Sequence, residues 1–124
     1  MGREAKAHRD EYRCHARSKI QQDWSVCLGN TRARIDYASY SPDEIVVRFH
    51  HEMVSMHCFP HGNGRHARLV AIELARLMGL DAASLTWGKR SGQDPVTVRR
   101  CYIDALALAD ATGDYAPLVV IAFS

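Results

Sequence analysis

The stretch His57-Cys58-Phe59-Pro60-His61-Gly62-Asn63-Gly64-Arg65-His66-Ala67-Arg68 holds a base, a turn and two permanent cations. Gly62 and Gly64 have no side chains, so backbone N–H groups around Asn63 are free to turn toward a bound anion. A helix starting at that turn adds its first unpaired N–H groups and the positive end of its dipole. Arg65 and Arg68, at i and i+3, then fall on one side of the first turns. Guanidinium groups there hold phosphate oxygens by paired, charge-assisted hydrogen bonds. His57 is the neighbour suited to proton transfer near neutral pH. Base, anion nest and two cations together suggest phosphoryl or nucleotidyl transfer.

The elements that must position these groups follow from capping and periodicity. Ser41-Pro42-Asp43-Glu44 is a capping box: Ser41 caps, Pro42 fits the first helical position and Glu44 reaches back. Ile45, Phe49, Met53 and Met56 recur near helical spacing, which predicts a helix whose apolar face points into the core and whose end delivers His57. Beyond the turn, Arg65 to Met78 reads as a buried helix through Leu69, Ile72, Ala75, Leu77 and Met78, closed by Gly79 with Leu80 just past it. Asp81 to Gln93 reads as a long surface connection. Asp94 caps a last long helix with Pro95 in its first turn and Val98, Cys101, Tyr102, Ala105, Leu106 and Ala109 on its apolar face. Tyr115 to Phe123 is strongly apolar and reads as a short closing helix, with Leu118-Val119-Val120-Ile121 open to a strand reading. The fold class is all-α.

The first third is different. Residues 3–22 carry almost no apolar stripe, and Trp24 to Tyr40 reads as irregular, with a turn signal at Gly29-Asn30-Thr31. Its basic residues are mixed with Glu4, Asp10, Glu11 and Asp23, which favours a solvated face over a nucleic-acid patch. The 124 residues carry a formal net charge of +2, too small to argue for nucleic acid. The length suits one core. No apolar run reaches the length of a membrane span and the start, Gly2-Arg3-Glu4-Ala5-Lys6, is no signal peptide, so a cytoplasmic location is expected. Cys14, Cys27, Cys58 and Cys101 are scattered and read as reduced thiols.

The central stretch resembles the signature of the Fic/Doc (Fido) family, His-x-Phe-x-Asp/Glu-Gly-Asn-Gly/Lys-Arg-x-x-Arg. His57, Phe59, Gly62, Asn63, Gly64, Arg65 and Arg68 stand at its positions. Arg48-Phe49-His50-His51, Gly64-Arg65-His66-Ala67-Arg68-Leu69 and Thr86-Trp87-Gly88 are similar to a bacterial branch called mobile mystery protein B. The resemblance covers roughly the last ninety residues and weakens before about Ile35, which divides the chain into a divergent polar segment 1–34, open to a helical or a poorly ordered reading, and a Fic-like domain 35–124. It implies a helical bundle with the signature loop between two central helices. It also implies a protein adenylyltransferase: His57 takes the proton from a Ser, Thr or Tyr hydroxyl of a target protein, and that hydroxyl takes AMP from ATP. Gly62, Asn63, Gly64, Arg65 and Arg68 would hold the phosphates. Gly64, rather than Lys, resembles the adenylylating majority. Trp87 lies in a region near the nucleotide in the family, as a lining or a packing residue. Family members also pair, so a homodimer is compatible with the resemblance.

Two features depart from the pattern. The family's Asp/Glu, which coordinates the magnesium bridging the phosphates, is His61 here, and imidazole is a poor ligand for a hard cation that prefers oxygen. Magnesium is thus expected from the family but lacks its acidic ligand, and no protein metal ligand is assigned. The family's target-clamping β-hairpin and its inhibitory motif Ser/Thr-x-x-x-Glu-Gly/Asn have no counterpart in the sequence. Three further readings stay open: a non-catalytic nucleotide- or partner-binding module, a truncated remnant from a mobile element, and a structural zinc protein drawing on His50, His51, His57, Cys58, His61 and His66. Against the last, Gly62 and Pro60 make a continuous helix through 57–61 unsuitable, and structural roles for His50, His51 and His66 are the simpler account.

Overall fold

The computed structural model describes residues 21–56 and 63–124, with Asn63 described by its backbone alone. The signature residues His57 to Gly62 lie outside the described residues. Among those described, five helices and one 3-10 turn are present and no strand, so the all-α expectation holds. They are α1 (helical over 21–36), α2 (Pro42–Met56), α3 (Asn63–Leu77), a 3-10 turn (Ala82–Ser84), α4 (Pro95–Thr112) and α5 (Ala116–Ala122).

The helix ends follow the capping chemistry. The Glu44 N–H donates to Ser41 Oγ at 3.3 Å, satisfying one first-turn donor of α2. Glu44 itself turns along its helix to Arg48, at 3.7 Å, rather than back to the cap. At α4, the Thr97 N–H donates to Asp94 Oδ1 at 2.9 Å and Pro95 fills the first turn. These bonds hold the Asp94 carboxyl below its ordinary range. Past α3, the Leu80 N–H reaches back to the Ala75 carbonyl at 2.9 Å around Gly79 at φ 79°, a left-handed closure that glycine adopts without strain.

Two apolar clusters hold the bundle. The larger joins Val46 and Val47 of α2, Ala71 and Ala75 of α3, Tyr102 and Ala105 of α4 and Leu118 of α5. The smaller joins Cys27 of α1 with Phe49 and Met53 of α2 and Ala67 of α3. The buried row of α3 is therefore Ala67, Ala71 and Ala75, at a strict four-residue interval. Small side chains there let α3 and α2 approach closely over their whole facing length. The expectation that Leu69 and Leu77 lie in the core fails: they are 58% and 85% exposed, because α3 is turned so that alanines face α2.

The segment read as irregular from Trp24 onward is helical to residue 36. Tertiary packing overrides the turn signal: Gly29 sits on the outer side with nothing near it, while Trp24 meets the Phe49 ring at 6.2 Å. Arg34 pairs with Glu52 of α2 at 2.7 Å, and Cys27 is buried, its thiol pushed up to about 12 by burial. The closing apolar segment is helical, not a strand.

Candidate functional site

The connection between α3 and α4 is anchored rather than loose. The N–H groups of Thr86 and Trp87 both donate to the Ala122 carbonyl at 2.9 Å, and those of Arg90 and the Thr86 hydroxyl reach the Ser124 carbonyl at 3.0 and 2.6 Å. Trp87 takes a left-handed φ of 53° and Gly88 follows at 85°. A Cβ on Gly88 would stand 2.6 Å from Val98 Cγ1, so only glycine lets the connection lie this close against α4. The surface segment expected from the sequence is thereby tied down, with Leu85 and Gly88 buried.

Between α3, this connection and α4 lies a cleft of about 850 Å³. Arg65 and Arg68 line it from α3, Trp87 and Lys89 from the connection, and Arg99 and Tyr102 from α4, with Leu69, Ile72 and Val98 as apolar wall. Arg65 and Arg68 repeat every third residue, and so do Arg99 and Tyr102 on α4. The size suits a ligand of nucleotide dimensions, and a mostly apolar wall with a few fixed polar groups is the usual make-up of such sites.

Behind the cleft sits a buried aromatic cluster. The His50 ring lies 4.2 Å from the Trp87 ring, and its Nε2 is 2.6 Å from the Tyr102 hydroxyl oxygen. Arg68 lies by Tyr102, its Cζ 5.7 Å from the ring centroid and its guanidinium interacting with the hydroxyl. The Tyr102 hydroxyl thus stands against His50 Nε2 on one side with the Arg68 guanidinium near its ring. Burial pushes the His50 imidazole down to about 4, with the nearby Arg68 charge adding to the effect, so it is neutral at physiological pH. Burial likewise raises the Tyr102 phenol, against the opposing pull of Arg68. The Trp87 indole N–H is buried without a hydrogen-bond partner among the described residues, a donor the rest of the described chain does not satisfy.

The structure thus brings Arg65 and Arg68 to one cleft and places Gly64 beside them: a Cβ there would stand 3.5 Å from Arg68 Nη1 and 3.8 Å from the Tyr102 hydroxyl. Asn63 opens α3, whose first-turn amides have no intrahelical partner. His57, Gly62 and His61 fall outside the described residues. His50 and His51 are engaged in packing contacts: His51 bonds Asp110 at 2.7 Å through Nε2 and the Tyr115 hydroxyl at 2.8 Å through Nδ1. Trp87 both packs on His50 and lines the cleft. Lys89, Arg99 and Tyr102 were not read as site residues, Tyr102 being assigned to the apolar face of its helix, because they come from segments distant from the signature. The i, i+3 pair Arg99 and Tyr102, set on the otherwise apolar face of a helix, was the available signal.

The cleft tests poorly as a magnesium site. Hard divalent cations take oxygen ligands, above all carboxylates. Among the described residues no Asp or Glu lines the cleft, and no group of three or more His, Cys, Asp or Glu side chains could hold a metal. The described residues do not fit the ion.

The described residues thus form a helical bundle that opens on a cleft with cationic and aromatic side chains in its wall. The Fic/DOC family profile matches residues 7–75, more than half of the 124 residues. The chain belongs to the Fic/DOC family. The matched stretch begins ahead of Ile35 and ends ahead of Trp87, and it does not single out the mobile mystery protein B branch. No curated protein and no solved structure matches the chain. Among the described residues no helix is long and apolar enough to cross a membrane.

Proposed function

We propose that this Fic domain binds ATP in the α3–α4 cleft and transfers AMP to a Ser, Thr or Tyr hydroxyl of a target protein in the cytoplasm. The observation that carries the reading is the convergence of Arg65 and Arg68 with Trp87 and Tyr102 on one nucleotide-sized cleft. In the reaction the target hydroxyl oxygen forms a bond to the α-phosphorus, and the bond from that phosphorus to the bridging oxygen breaks. Pyrophosphate leaves with the electron pair, and His57 takes the hydroxyl proton. Arg65 and Arg68 offset charge on the phosphates, where fixed cations lower the barrier most when they meet charge that develops in the transition state. The family's magnesium would supply Lewis-acid stabilisation of those oxygens; the described residues offer it no ligand, so no step is routed through it.

A second reading, a nucleotide-binding module without chemistry, draws support from the lack of a carboxylate in the lining among the described residues. The two separate in one experiment. Thermal melts with and without ATP, beside Arg65→Ala/Arg68→Ala, report binding, because a ligand held only by the folded state raises Tm. Transfer of label from α-labelled ATP to protein, beside His57→Ala, reports chemistry. Binding with label transfer that His57→Ala abolishes supports the transferase; binding with no transfer supports the module; no ATP-dependent rise in Tm removes both.

A further inference from the structure

We infer that the cleft binds the phosphate chain of its ligand without a divalent metal ion, with Lys89 and Arg99 supplying the positive charge that a metal would otherwise bring. This deepens the nucleotide reading and rests on it for the identity of the ligand, though the phosphate chemistry is tested separately.

Four cationic side chains line the cleft from three different elements: Arg65 and Arg68 from α3, Lys89 from the connection, Arg99 from α4. Among the described residues no carboxylate lines it. None of the four makes an ion pair with a carboxylate of the described residues, although Arg32, Arg34, Arg48 and Arg76 all do. Like charges gathered around one cavity repel one another and repel an approaching metal cation, while they concentrate a polyanion. Lys89 is not a stray surface charge. It follows Gly88, whose backbone is pressed against Val98, and its own N–H is bonded to the Thr86 carbonyl at 3.1 Å.

These observations reverse the usual preference. In a metal-dependent site, carboxylates hold the cation and the cation holds the phosphates, so removing the metal abolishes affinity. Here a free polyphosphate carries more negative charge than its magnesium complex does into a cleft whose charged side chains, among the described residues, are all cationic. The free form should bind at least as tightly.

The experiment is titration calorimetry of the full chain with inorganic tripolyphosphate and, separately, with ATP. Each is run in EDTA and again in excess magnesium, for the wild type, Lys89→Gln/Arg99→Gln and Arg65→Ala/Arg68→Ala. Melts confirm that both variants are folded; Lys89 and Arg99 are exposed and lie outside the core, so their exchange leaves packing intact. The expected result is equal or tighter binding in EDTA, with Lys89→Gln/Arg99→Gln weakening the EDTA affinity at least tenfold. Binding that requires magnesium, or an EDTA affinity indifferent to Lys89 and Arg99, overturns the inference and leaves the nucleotide reading standing. Tripolyphosphate binding in EDTA without any ATP binding supports the inference and removes the nucleotide reading. No binding of either ligand under either condition overturns both.

Discussion

Two sets of arginines in this molecule do opposite things. Arg34 and Arg48 lie on the α1–α2 side, each against a glutamate, at 2.7 and 3.7 Å from Glu52 and Glu44. Arg48 is further held between rings, its Cζ 3.8 Å from the centre of Tyr40 and 4.3 Å from that of Tyr115. Their charge is spent inside the fold, since a partly buried ion must be paired to be tolerated. Arg65, Arg68 and Arg99 line a cleft with no carboxylate in its wall among the described residues. No carboxylate of those residues offsets their charge, which stays open toward the cleft. Identical side chains are neutralised in one place and left uncompensated in the other, and the neighbouring acid decides which.

The largest test of that contrast is His50, buried behind the uncompensated set. Its imidazole stays neutral because burial disfavours a further charge there, with Arg68 nearby, and it titrates at about 4. The unfolded chain takes up that proton near the ordinary value of about 6.5, so it binds more protons than the native state between the two. Stability is therefore full above pH 6.5 and falls as pH drops toward 4, by about 3 kcal/mol from this group. Denaturant melts across that range should show His50→Gln losing this share of the slope. A variant slope as steep as the wild type's would remove His50 from the account.

Arg65→Ala/Arg68→Ala should weaken ATP about 100-fold, about 2.7 kcal/mol, with Tm of the unliganded protein almost unchanged. A large loss of Tm instead would make this pair structural and erase the contrast. Glu52→Ala should act the other way round: about 2 kcal/mol of folding stability lost in urea melts, through the unpaired Arg34, with ATP affinity kept. The smallest effect belongs to Tyr102→Phe, which removes the hydroxyl between His50 and Arg68. ATP affinity should fall about threefold to tenfold, the worth of one hydrogen bond to a charged group held less well. In an Arg68→Ala background the same change should cost nothing further; a full loss there would mean that Tyr102 acts through packing alone.

Much of the architecture is legible in the residues because capping is local chemistry. Ser41, Asp94, Gly79 and Gly113 mark helix ends through bonds spanning a few residues, and the ends lie where those residues put them. What failed was burial. The α3 core face is alanine, whose small side chains register weakly in any apolar count, so Leu69 and Leu77 attracted the assignment while solvent took them. α1 was missed because its inner face offers little beyond Trp24, Cys27 and a buried Thr31, with Gly29 breaking the pattern on the side where nothing presses. In the cleft, Arg65 and Arg68 are readable from their own spacing. Lys89 and Arg99 are not, because the anchoring of the connection to the α5 end brings in the first and the packing of α4 the second.

That anchoring orders events in time. The acceptors for Thr86, Trp87 and Arg90 are the carbonyls of Ala122 and Ser124. During synthesis, α2 and α3 emerge and can pack long before those acceptors exist, since domains form as their chain becomes available. Until residues 122 and 124 have left the ribosome tunnel, the backbone that carries Trp87 and Lys89 lacks these acceptors. A nascent chain can thus own Arg65 and Arg68 before the far wall of their cleft is tied in place.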